Sequence, residues 1–191
     1  MPRTDGTTHW ERDLLIAHRI LAPVIAAQGD DIDLWRFHRR SADDGAGHQF
    51  SLIFYASAQT ADEINRKVAA DTLLEALLRA GVIDAVITDD VGRNDRPQVG
   101  DTSDASWSPV MQRTWPYYIM GVSRMWLAMI EALSGEVGTA GDVDLQDHYR
   151  EVNRRLTYIW QHEGQHALLH HLNAVFGYEA MLLRETRWKS F

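Results

Sequence analysis

An α+β fold is predicted by three observations. Two adjacent segments alternate apolar and polar residues with period two, helical periodicity flanks them, and only helical periodicity occurs in the second half. The first element is "ERDLLIAHRILAPVIAAQ", a helix with Leu14, Ile16, Ile20, Leu21 and Ile25 on its apolar side and a bend at Pro23. "DLWRFHRR" follows, with Trp35 and Phe37 on one side and Arg36 and His38 on the other, a half-buried strand. "SADDGAG" is a polar connection. "HQFSLIFYAS" is a second strand with Phe50, Leu52 and Phe54 facing one way, so the two form a hairpin.

"TADEINRKVAADTLLEALLRAG" is the next helix. Thr60 and Glu63 have capping-box spacing, and Gly81 is the stop. "VIDAVIT", residues 82–88, reads as a third strand. The order α-β-β-α-β makes a small antiparallel or mixed sheet with flanking helices, a sheet lobe over residues 1–88. Residues 89–109 are a polar loop without periodicity, with Trp107 alone among polar residues. Residues 110–191 are a helical lobe. It holds "YYIMGVSRMWLAMIEAL" after Pro116, a turn at "GEVGTAGDVD", and a last helix from Asp147 to about Phe176, ended by Gly177. The whole is expected to be one compact unit.

Composition narrows the function classes. The chain has 191 residues, 45% hydrophobic and 24% charged, as in ordinary globular domains. Its formal net charge of -8 disfavours bare nucleic acid and anionic membranes as partners, and favours a neutral or basic peptide or another protein. With no cysteine, disulfides, thiolate metal sites and cysteine nucleophiles are excluded. "MPRTDGTTHWERD" has no apolar run, so no signal peptide is expected, and the expected location is the cytoplasm. Seven tryptophans suit a large core or a partner surface.

"WQHEGQHALLHH" holds four of the nine histidines and spells H-E-x-x-H. On a helix His162 and His166 share a face and could hold a zinc, with Glu163 as general base. A zincin needs a third ligand from a later element, and Glu179 and Glu185 are the only carboxylates after Gly177. At about 100° per residue, Val152, Leu156, Ile159, Glu163, His166 and His170 form one face that is apolar at one end and polar at the other. The expectation is therefore no metal.

The order of N-terminal helix, "LWRFHRRSADDGAGHQFSLIFY" and C-terminal "ALLHHLNAVFG" resembles the small C-terminal domain of lantibiotic dehydratases and thiopeptide-type bacteriocin biosynthesis proteins. The resemblance spans most of the chain through short motifs. It equates Arg39 with the family's strand arginine, with Arg40 where an aromatic is usual. His48 stands for the histidine opening the second strand. Asn173 stands for the helix asparagine, with His170 and His171 at or beside the family's histidines. The family's further arginines are replaced by Phe50, Leu52 and Ala174. Those cations would hold an anionic group such as a glutamyl adduct, so the resemblance implies a retained scaffold without the elimination chemistry.

Length, acidity and the missing arginines are also similar to the small partner protein of methanobactin-type pathways, which works beside an iron-dependent oxygenase on a ribosomal precursor peptide. That resemblance implies a bacterial protein of ribosomal peptide natural-product (RiPP) biosynthesis. It would bind the precursor's leader and act as partner subunit of the oxygenase, with iron in the partner and no cofactor of its own. Peptide-binding candidates are Arg39, Arg40, His48, Trp107 and Asn173. Should the chain be catalytic alone, as an elimination or cyclisation enzyme, the candidates are His48, His170 and His171. A zinc peptidase is the remaining alternative. An exposed sheet edge is the natural peptide dock, because an added strand gains main-chain hydrogen bonds.

Overall fold

The computed structural model describes residues 8–41, 47–93, 98–137 and 144–180. Its contacts divide the chain into two units, residues 1–153 and 154–191.

In the first unit, α1 (Trp10–Ile16) runs through a π turn (Ala17–Leu21) into α2 (Ala22–Ala27). The π turn ends at Leu21, two residues before Pro23. Proline cannot donate to the carbonyl four residues back and its ring crowds that carbonyl, and the wider turn absorbs both. Leu14, Ala17, Ile20 and Val24 face the core.

β1 (Ile32–Ser41) pairs antiparallel with β2 (His48–Ala56) in the register Phe37↔Leu52 and Arg39↔Phe50. Trp35 and Phe37 are buried, as the alternation requires, and the chain is α+β with this two-stranded sheet. α5 (Pro109–Val137) packs along β1, so a helix assigned by sequence to the helical lobe covers the hairpin. The Phe37 amide donates to Ser123 Oγ of α5 at 3.1 Å, which closes the outer edge of β1.

Three elements depart from expectation. The helix predicted after the hairpin is two, α3 (Ala58–Ala69) and α4 (Thr72–Arg79). Asp71 interrupts it by accepting from the Leu74 amide at 2.9 Å, an N-cap in mid-segment. The N-cap of α3 is Ser57, which accepts from the Thr60 amide at 3.1 Å, and Glu63 is held by Gln28 (2.8 Å) and Lys67 (3.0 Å) instead of closing a capping box.

The predicted third strand over residues 82–88 does not form. Gly81, at φ +67°, turns the chain so that the Val82 amide donates back to the Leu77 carbonyl at 2.9 Å. Val82 and Ile83 are thereby buried as the apolar anchor of a helix stop. Residues 84–90 beyond them are exposed and irregular.

α5 begins at Pro109 and contains Pro116 instead of starting after it. Pro116 lacks the amide that would reach Gln112, and the Ser103 hydroxyl donates to that orphaned carbonyl at 2.8 Å. Gln112 in turn donates from Nε2 to the Trp107 carbonyl at 2.7 Å. The loop before α5 is thus built to repair the proline.

α6 (Leu145–Gly164) continues through a second π turn (Gln165–His170) into α7 (His171–Val175), and Gly177 ends it at φ +70°. Residues 154–180 belong to the second unit. Gly164 leads into the π turn, and a Cβ there would stand 3.1 Å from the Trp160 ring.

Candidate functional site

At the end of the hairpin next to the 42–46 connection, Arg39 and His48 lie on the same sheet face and converge on one carboxylate. Asp13 of α1 is fully buried. It accepts from Arg39 Nε at 2.8 Å and pairs with His48 Nε2 at 2.8 Å. Arg39 also donates to the Trp10 carbonyl at 3.1 Å. Its guanidinium lies between the rings of Trp10 (4.6 Å) and Trp126 (5.1 Å), and His48 sets its edge against Trp10 at 5.0 Å. A buried carboxylate is tolerable only with such charge-assisted bonds. Chemically this is a carboxylate-oriented imidazole beside a clamped cation, and it fastens the hairpin to α1.

Asp13 was not singled out from sequence. It stands on the same helical stripe as Ala17, Ile20 and Val24, and an acid on an apolar stripe signals a buried partner. Arg40 pairs with Gln49 and, by strand alternation, takes the opposite face from Arg39.

A groove of about 820 Å³ opens along the free side of β2. It is lined by β2 itself, His48 to Ala56, and by the irregular stretch Ile83 to Asp89, with Ile16 half-buried among its apolar residues. That volume lies within the range of roughly 300–1,000 Å³ usual for ligand sites. Phe50, Leu52 and Phe54 are only half-buried, unlike Trp35 and Phe37 across the sheet. Arg36 also lines the groove. Its guanidinium rests on the Trp115 ring at 4.9 Å and donates to the Thr102 carbonyl at 3.3 Å, and burial lowers its pKa. Trp107 packs edge-on against Trp115 at 5.4 Å, joining the loop to the helix that supports Arg36.

A second polar cluster escaped the sequence reading. His18, in the π turn, lies 2.8 Å from the hydroxyl of buried Tyr149, and His148 lies 2.8 Å from Ser134 Oγ. Burial lowers the His18 pKa, helped by Arg19 and His148 and opposed by Glu131. Burial also raises that of Tyr149, against Arg19 and Ser134. A polar stripe His18–Arg19 inside an apolar helix was the available signal.

In the second unit the H-E-x-x-H residues do not act together. His162 donates from Nδ1 to the Tyr158 carbonyl at 2.8 Å and stacks on the Tyr158 ring at 3.9 Å. His166, His170 and His171 instead form a triangle of exposed rings with centroids 5.1, 5.5 and 5.2 Å apart. The π turn causes this: closing from i to i+5, it carries His171 back over His166 beside His170. The Tyr178 hydroxyl lies 3.4 Å from His170 Nε2. Glu163, Asn173 and Glu179 are exposed, and Glu185 lies outside the described residues. Among the described residues no group of three or more His, Asp or Glu side chains is arranged to hold a metal ion. Among them, too, no helix is long and apolar enough to cross a membrane.

No protein-family model, curated protein or solved structure matches the chain.

Proposed function

We propose that this chain binds a ribosomally made precursor peptide as an added strand on the open edge of β2, and serves as partner subunit to an iron oxygenase that modifies the peptide. The observation that carries the peptide-binding reading is the asymmetry of the hairpin. The edge of β1 is closed by α5 through Ser123, whereas β2 borders an open groove along its whole length. Edge strands are templates for pairing, and proteins ordinarily cover them or interrupt them with charge. Here the edge carries Phe50, Leu52 and Phe54 instead. The oxygenase partnership rests on the resemblance, carried by length, acidity and the missing arginines. In this reading the cytoplasm is the place of action, and Arg39 and His48 hold the hairpin so that its edge is presented.

The test first asks whether a short precursor gene and an oxygenase gene lie beside this one, and then uses their products. The isolated chain is expected to bind the peptide and leave its mass unchanged. It is expected to co-elute with the oxygenase, and the peptide's mass is expected to change only when both proteins are present. A mass change with this chain alone would make it the catalyst. The Asp13–His48 pair favours that second reading, in which His48 serves an elimination or cyclisation step.

A further inference from the structure

Residues 83–89 have the composition of a strand and lie opposite an unpaired strand edge, yet they are not paired with it. Val86 is 43% and Ile87 86% exposed. Among the described residues, no backbone hydrogen bond involves residues 85–88. The register shows which groups face this stretch. The Phe37 amide points away from β2, to Ser123, so Phe37↔Leu52 is a non-hydrogen-bonded pair. By alternation the outward amides and carbonyls of β2 belong to Phe50, Leu52 and Phe54. These three residues also line the groove.

We propose that the peptide strand enters between β2 and residues 83–89 and bonds to both, so that 83–89 becomes the outer strand of a completed sheet. This rests on the peptide-binding reading above and adds the second wall and the class of peptide. Side chains alternate across a strand, so every second residue of the peptide would meet Phe50, Leu52, Phe54 and the half-buried Ile16. These positions take aliphatic or aromatic residues. Charge sets the flanks. Asp89 lies on the outer wall and the chain carries -8, while Arg36, which also lines the groove, is already engaged by Trp115 and Thr102. The occupant is therefore an extended peptide, apolar at alternate positions and basic at its ends.

The probes are synthetic peptides of about nine residues, enough to span β2 at about 3.3 Å per residue, alternating Val and Thr between terminal lysines. A scrambled peptide that destroys the alternation is the control. Binding to the full chain is measured by titration and located by amide hydrogen exchange. The alternating peptide is expected to bind at least about tenfold tighter than the scrambled one, and to slow exchange both at Phe50, Leu52 and Phe54 and across 85–88. Val86→Pro and Ile87→Pro, made separately, remove neighbouring amides that point to opposite sides. At least one should weaken binding about tenfold, the value of one backbone hydrogen bond, with the melting temperature unchanged.

Protection confined to β2, with both proline variants binding normally, would overturn the two-sided insertion and leave the peptide-binding reading standing. Absence of binding by either peptide, or binding that protects neither wall, would overturn both. Protection of both walls in the chain alone would also overturn the proposal. If it grew with protein concentration it would assign the groove to a second copy, and if it did not, to the chain's own residues.

Discussion

Asp13 illustrates how one residue sets the energetics of a region. It is fully buried, and Arg39 and His48 both meet it. Removing one partner of a buried charged set leaves the others desolvated and uncompensated. Asp13→Ala is expected to destabilise the protein by about 3 kcal/mol in urea titration, the lower end of that effect because Arg39 keeps a quarter of its side chain in solvent. A loss below about 0.5 kcal/mol would mean that Arg39 and His48 find other partners on relaxation. His18 supplies a pH dependence of definite sign. Its folded pKa lies below the ordinary histidine value of about 6.5, chiefly through burial. The unfolded chain therefore binds the proton first, and stability is lost as pH falls below about 6.5 toward the lowered value. Urea midpoints measured at about pH 7.5 and about pH 5.5 should differ less in His18→Gln than in the parent protein. Equal differences in the two would assign the acid sensitivity to other groups.

At the scale of elements, prolines and π turns explain where regular patterns bend. The Ser103 hydroxyl substitutes for the amide that Pro116 lacks. Ser103→Ala is expected to cost about 1 kcal/mol alone and close to nothing in a Pro116→Ala background, where the restored amide serves the Gln112 carbonyl. Equal costs in both backgrounds would show that Ser103 does not act through Pro116. The second π turn separates the H-E-x-x-H histidines into a Tyr158-bound His162 and a triangle around His170. Protein purified without a histidine tag is accordingly expected to carry no stoichiometric zinc by elemental analysis. One zinc per chain, lost in His162→Ala, would reinstate the peptidase reading.

For the whole molecule, charge and edge geometry act together. A chain of net charge -8 is repelled by phosphate backbones, so retention on duplex DNA should be undetectable at about 0.15 M salt. Retention would require a local basic surface that outweighs the global charge. The same acidity leaves a basic peptide as a suitable guest for the open edge of β2. The hairpin is fastened where it meets α1 and α5, through Asp13, Trp126 and Ser123, and open where it meets residues 83–89.

The α+β class, both strands of the hairpin, and the stops at Gly81 and Gly177 were legible in the sequence, because they rest on local periodicity and on glycine's access to positive φ. Local patterns also suggested a strand at 82–88 and a capping box at Thr60. Both failed for the same reason. Val82, Ile83 and Glu63 found partners that are distant in the chain or set by a neighbouring turn, and those contacts outweighed local propensity. Arg39 and His48 could be picked out, but not their meeting at Asp13, which lies 26 residues from Arg39 along the chain. The groove was equally hidden. It exists because α5 covers one edge of the hairpin and Gly81 turns the next segment away from the other, and long-range packing of that kind leaves no periodic trace in the residues it brings together.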